Sequence, residues 1–175
     1  MRNKLILFVT VLVSFLLQCT VVQYFAIGSI VPNLLIILCV SMGIMRGKRS
    51  GMFLGFFVGL LADLFFGSVF GFYALIYMYV GYFSGCAYQV CYDDDMKVHL
   101  LLVAAFDLLH NFAVYALQFL LRGRLGLFTY LKRIIIPEML YTVLIAIFMY
   151  KVYYYINHRM MKPIRKESES IWVLK

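Results

Sequence analysis

From Leu5 to Met45 the chain carries no Asp, Glu, Lys or Arg. A soluble domain cannot hide a run of that length in so short a chain, because a small protein keeps a large surface relative to its volume. The run is about twice the roughly 20 apolar residues that cross a bilayer as a helix. The pattern recurs downstream. From Ser50 to Tyr92 the only charge is Asp63, from Val98 to Leu121 only Asp107, and from Ile134 to Tyr150 only Glu138. The first two runs hold two spans each and the last two hold one each. The composition agrees, at 14% charged residues against about 25% in ordinary soluble domains. The expected fold is therefore an all-α polytopic membrane protein with about six transmembrane helices. Residues 1-156 form the membrane domain and 157-175 a basic cytoplasmic tail.

The net charge of +8 does not indicate a nucleic-acid surface. The basic residues sit in short clusters between apolar runs, as in loops at an anionic membrane surface. The cysteines Cys19, Cys39, Cys86 and Cys91 form no CxxC pair and lie in apolar segments, which suits buried free thiols better than a disulfide or zinc framework. Arg2 and Lys4 ahead of Leu5 resemble the start of a secretory signal. The apolar stretch continues past the usual signal length and lacks a small-x-small site, so it reads as a retained first helix.

The six helices are expected at about 5–24, 32–45, 50–66, 70–92, 98–121 and 134–156. Pro32 suits the first turn of the second helix. Arg46-Gly47-Lys48-Arg49 is expected as a tight basic loop, and Asp93-Asp94-Asp95-Met96-Lys97 as a polar one. With six spans, twelve of the sixteen Lys and Arg residues fall on the side of the two termini. The positive-inside rule then places both termini in the cytoplasm. The other four, Arg122, Arg124, Lys132 and Arg133, fall in one outer connection, which either lies flat at the interface or snorkels from the helix ends.

Three helices have unusual faces. Gly51, Gly55, Gly59 and Ala62 fall within about an 80° arc of the third helix, and Gly71, Ala74, Gly81 and Gly85 make a similar strip on the fourth. Such strips let helix backbones approach closely in lipid. They serve either internal packing of the two helices or docking of a partner's transmembrane helix. Asp63, near the outer end of the third helix, is expected to pair with the outer basic residues, and Glu138 to favour its own helix N-terminus. On the fifth helix, Asp107, His110, Asn111 and Gln118 share about a 100° arc, with Asp107 and His110 one turn apart and able to pair. That stripe reads as an interhelical hydrogen-bond network, a small-ligand pocket, or a proton or ion path. One Asp and one His do not make a metal site. No P-loop, nucleophile elbow, HExxH or dinucleotide fingerprint occurs, so neither an enzyme nor a cofactor is expected.

Pro32-Asn33-Leu34-Leu35, then Arg46-Gly47, then Gly51, Gly55, Gly59 and Asp63, then Gly67-Ser68 and Gly71, together resemble the MreD family of rod shape-determining proteins. The patterned part covers roughly 32–85. Where that family usually has Pro-Asp-Leu, this chain has Asn33. The resemblance implies a non-enzymatic multi-pass protein of the bacterial cell membrane. It would bind MreC and work with MreB filaments, RodA and a class B penicillin-binding transpeptidase to direct lateral peptidoglycan synthesis. It also implies a fold similar to the substrate-binding subunits of energy-coupling-factor transporters. The contact surface expected on this reading is Gly51, Gly55, Gly59 and Asp63 with the 122–133 segment. The alternative is a small-molecule (vitamin) binding subunit of a transporter, with its pocket around Asp107.

Overall fold

The fold comes from a computed structural model. It describes residues 2–24, 26, 30–67, 69–87, 96–122 and 131–173, with the side chains of 5–20, 22, 24, 26, 30–67, 69–87, 96–117 and 131–158. The regular elements among them are all helices. They are α1 (Arg2–Cys19, followed by the short turn Val21–Tyr24), α2 (Leu34–Arg46), α3 (Lys48–Phe66), α4 (Phe72–Ala87), α5 (Met96–Arg122) and α6 (Ile136–Val173). A π-helical turn, Leu131–Ile135, leads into α6.

Three segments are long and apolar enough to cross a membrane: Lys48–Phe66, Met96–Leu117 and Leu131–His158. Leu5–Cys19, Leu34–Arg46 and Phe72–Ala87 are apolar but shorter. Many large apolar side chains face outward. Leu5, Phe8, Phe53, Phe57, Leu101, Leu144 and Phe148 are all exposed, as lipid rather than water would favour.

The second helix is the centre of the molecule. Ile36, Ile37, Leu38, Cys39, Val40 and Met42 are each 0% exposed, covering every side of α2. A helix that is apolar all round belongs in a core, and α1, α3, α4, α5 and α6 all pack on it. Its 13 residues rise only about 20 Å, short of a hydrocarbon layer of roughly 30 Å. It needs no greater length, because protein surrounds it.

Several expected boundaries shift. Pro32 precedes α2 instead of opening it, and Asn33 is the N-cap, its side chain accepting from Ile36 N. The 46–49 segment is not a loop. Arg46 ends α2, Lys48 begins α3, and Gly47 alone turns the chain, at φ 82°. That left-handed conformation is open to glycine at no steric cost. The expected tail is helical as far as Val173, since Met, Lys, Arg and Glu are good helix formers and Pro163 is the sole strong breaker there. The Asp93–Asp95 segment, Cys91 and residues 123–130 lie outside the described residues.

α3 and α4 share the largest interface, and glycine makes it. A Cβ on Gly55 would fall on the Tyr77 carbonyl oxygen, and one on Gly59 on Ala74 Cα. A Cβ on Gly85 would lie 2.6 Å from Lys48 Cα. Each obstacle is backbone, so no side chain can step aside. Gly71 does not belong to this strip. A Cβ there meets nothing within 4 Å, and its φ of 92° shows a turn glycine that aims the chain into α4.

Polar ties join the remaining helices. Ser14 and Tyr153 hydroxyls lie 3.0 Å apart, linking α1 to α6. Arg46 Nε donates to Asn157 Oδ1 at 3.1 Å, linking the end of α2 to α6.

Candidate functional site

One group of buried polar residues collects where α2, α4 and α6 begin and α3 ends. Asp63, on the last turns of α3, is 3% exposed. Its Oδ1 accepts from Tyr73 N and its Oδ2 from Ala74 N, each at 2.9 Å. Those N–H groups belong to the first turn of α4, where no intrahelical acceptor exists. A carboxylate also suits the positive end of a helix dipole. Asp63 is thus a cap supplied by the neighbouring helix. The expected ion pair to the outer basic residues is not made among the described residues, and Lys132 and Arg133 are exposed. Arg124 and the side chain of Arg122 lie outside them.

Asn33 is the hub of the next layer. Its Oδ1 accepts from Ile36 N at 3.2 Å and from the Tyr77 hydroxyl at 3.1 Å. Its own N–H donates to Thr142 Oγ1 at 3.2 Å. Gln18 of α1 brackets it, donating from Nε2 to the Pro32 carbonyl at 3.1 Å and accepting from Leu34 N at 2.8 Å. One buried asparagine therefore joins α2, α4 and α6, while Gln18 adds α1. The N–H groups at the start of α2 that would otherwise be orphaned are largely satisfied.

Around these residues lies a cavity of about 350 Å³, lined in part by Gln18, Asn33, Tyr73, Tyr77, His110 and Glu138. That volume lies in the range of small-molecule sites, about 300–1,000 Å³. Exposed Phe66 is also in the lining, so the cavity reaches the surface there. Rings form one wall. The His110 ring centroid is 5.2 Å from that of Tyr77 and 5.7 Å from that of Tyr73.

The α5 stripe supplies His110 to this wall. Asp107 is 0% exposed, and His110 and Asn111 are each 6%. Both Asp107 oxygens, His110 Nδ1 and Asn111 Nδ2 are buried without a hydrogen-bond partner. Asp107 and His110 therefore do not form the expected pair. Thr142 lies beside Asp107, and Asn111 beside Glu138, but neither contact reaches hydrogen-bonding geometry at the buried atoms. Glu138 lies within electrostatic reach of Asp107. It faces this cluster as well as its own helix start. The Gln118 side chain lies outside the described residues.

The sequence singled out Asp63 and Glu138 at helix ends and Asp107, His110 and Asn111 as a stripe along the fifth helix, but missed Gln18, Tyr73, Tyr77 and Thr142. Two signals could have found the last three. Tyr73 and Tyr77 are four residues apart, on one face of α4, and Thr142 stands four after Glu138, on the same face of α6. Gln18 is a lone amide in an apolar run, which in lipid calls for a partner. The glycines Gly51, Gly55, Gly59, Gly81 and Gly85 meet backbone of this same chain, and Ala62 is buried.

No curated protein and no solved structure matches the chain. A family model described as rod shape-determining protein MreD matches residues 2–159. The match covers α1 to α5 whole and the apolar length of α6, and with its membrane-length apolar helices the chain is a membrane protein. It belongs to the MreD family of rod shape-determining proteins.

Proposed function

We propose that this chain is a non-enzymatic membrane scaffold of the bacterial cell-elongation complex, binding MreC and helping direct lateral peptidoglycan synthesis. The observation that carries this reading is the family match over residues 2–159. MreB filaments, RodA and a class B penicillin-binding transpeptidase complete the assembly. All six apolar helices serve as spans, the shorter ones within a thinned or protein-lined membrane. Both termini lie in the cytoplasm, as the distribution of Lys and Arg favours. The ligand-binding subunits of energy-coupling-factor transporters provide the fold analogy.

The partner surface moves away from the residues expected to form it. Gly51, Gly55, Gly59 and Asp63 are consumed inside the chain. A partner helix must then meet an outward face. On α3, Phe53 and Phe57 are each about 60% exposed and Leu64 is 65% exposed, within about a 40° arc. This strip lies on the back of the rigid α3–α4 pair, so a helix bound there is held in a fixed orientation. Co-purification of MreC with the full chain tests the reading. Recovery from wild type and loss on shortening this strip support it; equal recovery from both counts against the surface.

The polar cavity favours a second reading, a vitamin-binding subunit of a transporter. That reading requires specific uptake of one small molecule in cells, lost when the chain is depleted.

A further inference from the structure

We propose that the cavity bounded by Tyr73, Tyr77, His110 and Glu138 binds a single organic ammonium group, carried by a lipid headgroup or a small free amine. The inference stands whether or not the scaffold reading holds. Three observations on the chain's own residues converge on it.

The first is an inventory of atoms. Around the cavity Asn33 Oδ1 already has two donors, Gln18 is engaged at both ends, and the Tyr77 hydroxyl donates to Asn33. Among the described residues, the atoms without a partner include His110 Nδ1 in the lining and the two Asp107 oxygens, which lie within electrostatic reach of Tyr77 and Glu138. Glu138 adds a second carboxylate, and it is part of the lining. Among the described residues, Asn111 Nδ2 is a donor without a partner, and it lies beside Glu138. Unpartnered acceptor atoms thus outnumber unpartnered donors here, and a ligand rich in N–H groups would match them. His110 would meet such a ligand as the tautomer that accepts at Nδ1.

The second is the state of the helix ends. Helix N-termini attract anions, and α2 and α4 both begin beside this cavity. Leu34 N and Ile36 N of α2 are already met by Gln18 and Asn33, and Tyr73 N and Ala74 N of α4 by Asp63. An anion entering here would find those N–H groups taken and would face Glu138.

The third is the wall. Tyr73, Tyr77 and His110 present three rings, with centroids 5.2 to 6.5 Å apart. Aromatic rings arranged about a cavity attract ammonium and quaternary ammonium groups through their negative faces. The volume of about 350 Å³ accommodates an ethanolamine-sized group. Exposed Phe66 marks the way in from the surface.

The test uses the full chain in nanodiscs made only of phosphatidylglycerol, which carries the lipid phosphate but no ammonium. Ethanolamine is added as the soluble probe, and phosphatidylethanolamine replaces part of the lipid in a second set. Thermal midpoint and native mass spectra report binding. Stabilisation with a bound mass from ethanolamine identifies a free amine, and the same effects from phosphatidylethanolamine alone identify a lipid headgroup. Glu138→Gln keeps the shape of the side chain and removes its charge, and is expected to weaken either effect about tenfold or more. Asp107→Asn supplies a second variant. The proposal is overturned if neither probe binds wild type, if inorganic phosphate binds and the amines do not, or if both variants bind as wild type does.

Discussion

Gly51 and Gly81 stand backbone to backbone: a Cβ built on either would fall on the other's carbonyl oxygen. That reciprocity makes α3 and α4 a single rigid unit, since both contact atoms belong to main chain. In lipid, apolar side chains gain nothing by leaving one hydrocarbon for another, so such close backbone contact is what holds helices together.

Gly51→Ala and Gly81→Ala should each destabilise the chain by about 1–3 kcal/mol, the usual cost of overpacking. Thermal unfolding in detergent reads this directly. Phe57→Ala, on the exposed side of α3, should stay within about 0.5 kcal/mol of wild type. Equal midpoints for all three variants would mean that the two helices are not in backbone contact.

Asp63→Asn should cost about 1–3 kcal/mol, because an amide oxygen can accept one of the two N–H groups while its NH₂ opposes the other. Hydrogen exchange at Tyr73 and Ala74 is the measurement. One of the two amides should lose protection in the variant. Unchanged protection would show that Asp63 is not the cap of α4.

Asn33→Asp should fold as wild type does, since only the side-chain oxygen is used, by Ile36 N and the Tyr77 hydroxyl. Asn33→Ala should lose about 1–2 kcal/mol as a missing N-cap, and Tyr77→Phe about 1 kcal/mol. The double variant should cost less than the sum, because both changes remove the same bond. Strict additivity would separate the two residues.

These three sites differ in how far the sequence reveals them. The glycine ladder was legible because close helix packing imposes a four-residue period that survives in the chain. The cap was not. The partners of Asp63 are backbone N–H groups, which every sequence contains, so the carboxylate seemed to need a basic side chain. Asp107 and His110 show another limit. Helical spacing fixes the face two residues share, but rotamers and neighbours decide whether their atoms meet. The shortness of α2 was visible, while its cause, complete burial among the other helices, depends on contacts far apart in sequence. The links of Asn33 to Tyr77 and Thr142 cross 44 and 109 positions, beyond any local pattern.

The outward strip of α3 carries a prediction about assembly. Replacing Phe53, Phe57 and Leu64 together by Ala should lower MreC recovery several-fold, while the thermal midpoint stays near that of wild type. Surface changes away from caps and cores have small effects on stability, so the two readouts separate binding from folding. Full recovery of MreC would move the partner to another face.

Cell shape tests the central claim most directly. The chain is depleted in the rod-shaped bacterium that encodes it, and cell width and length are followed by microscopy. Cells should widen and round, with rod shape restored by the wild-type chain and not by Gly81→Leu. Cells that keep their rod form through full depletion, and lose only the uptake of one small molecule, would contradict the scaffold and leave a transporter subunit in its place.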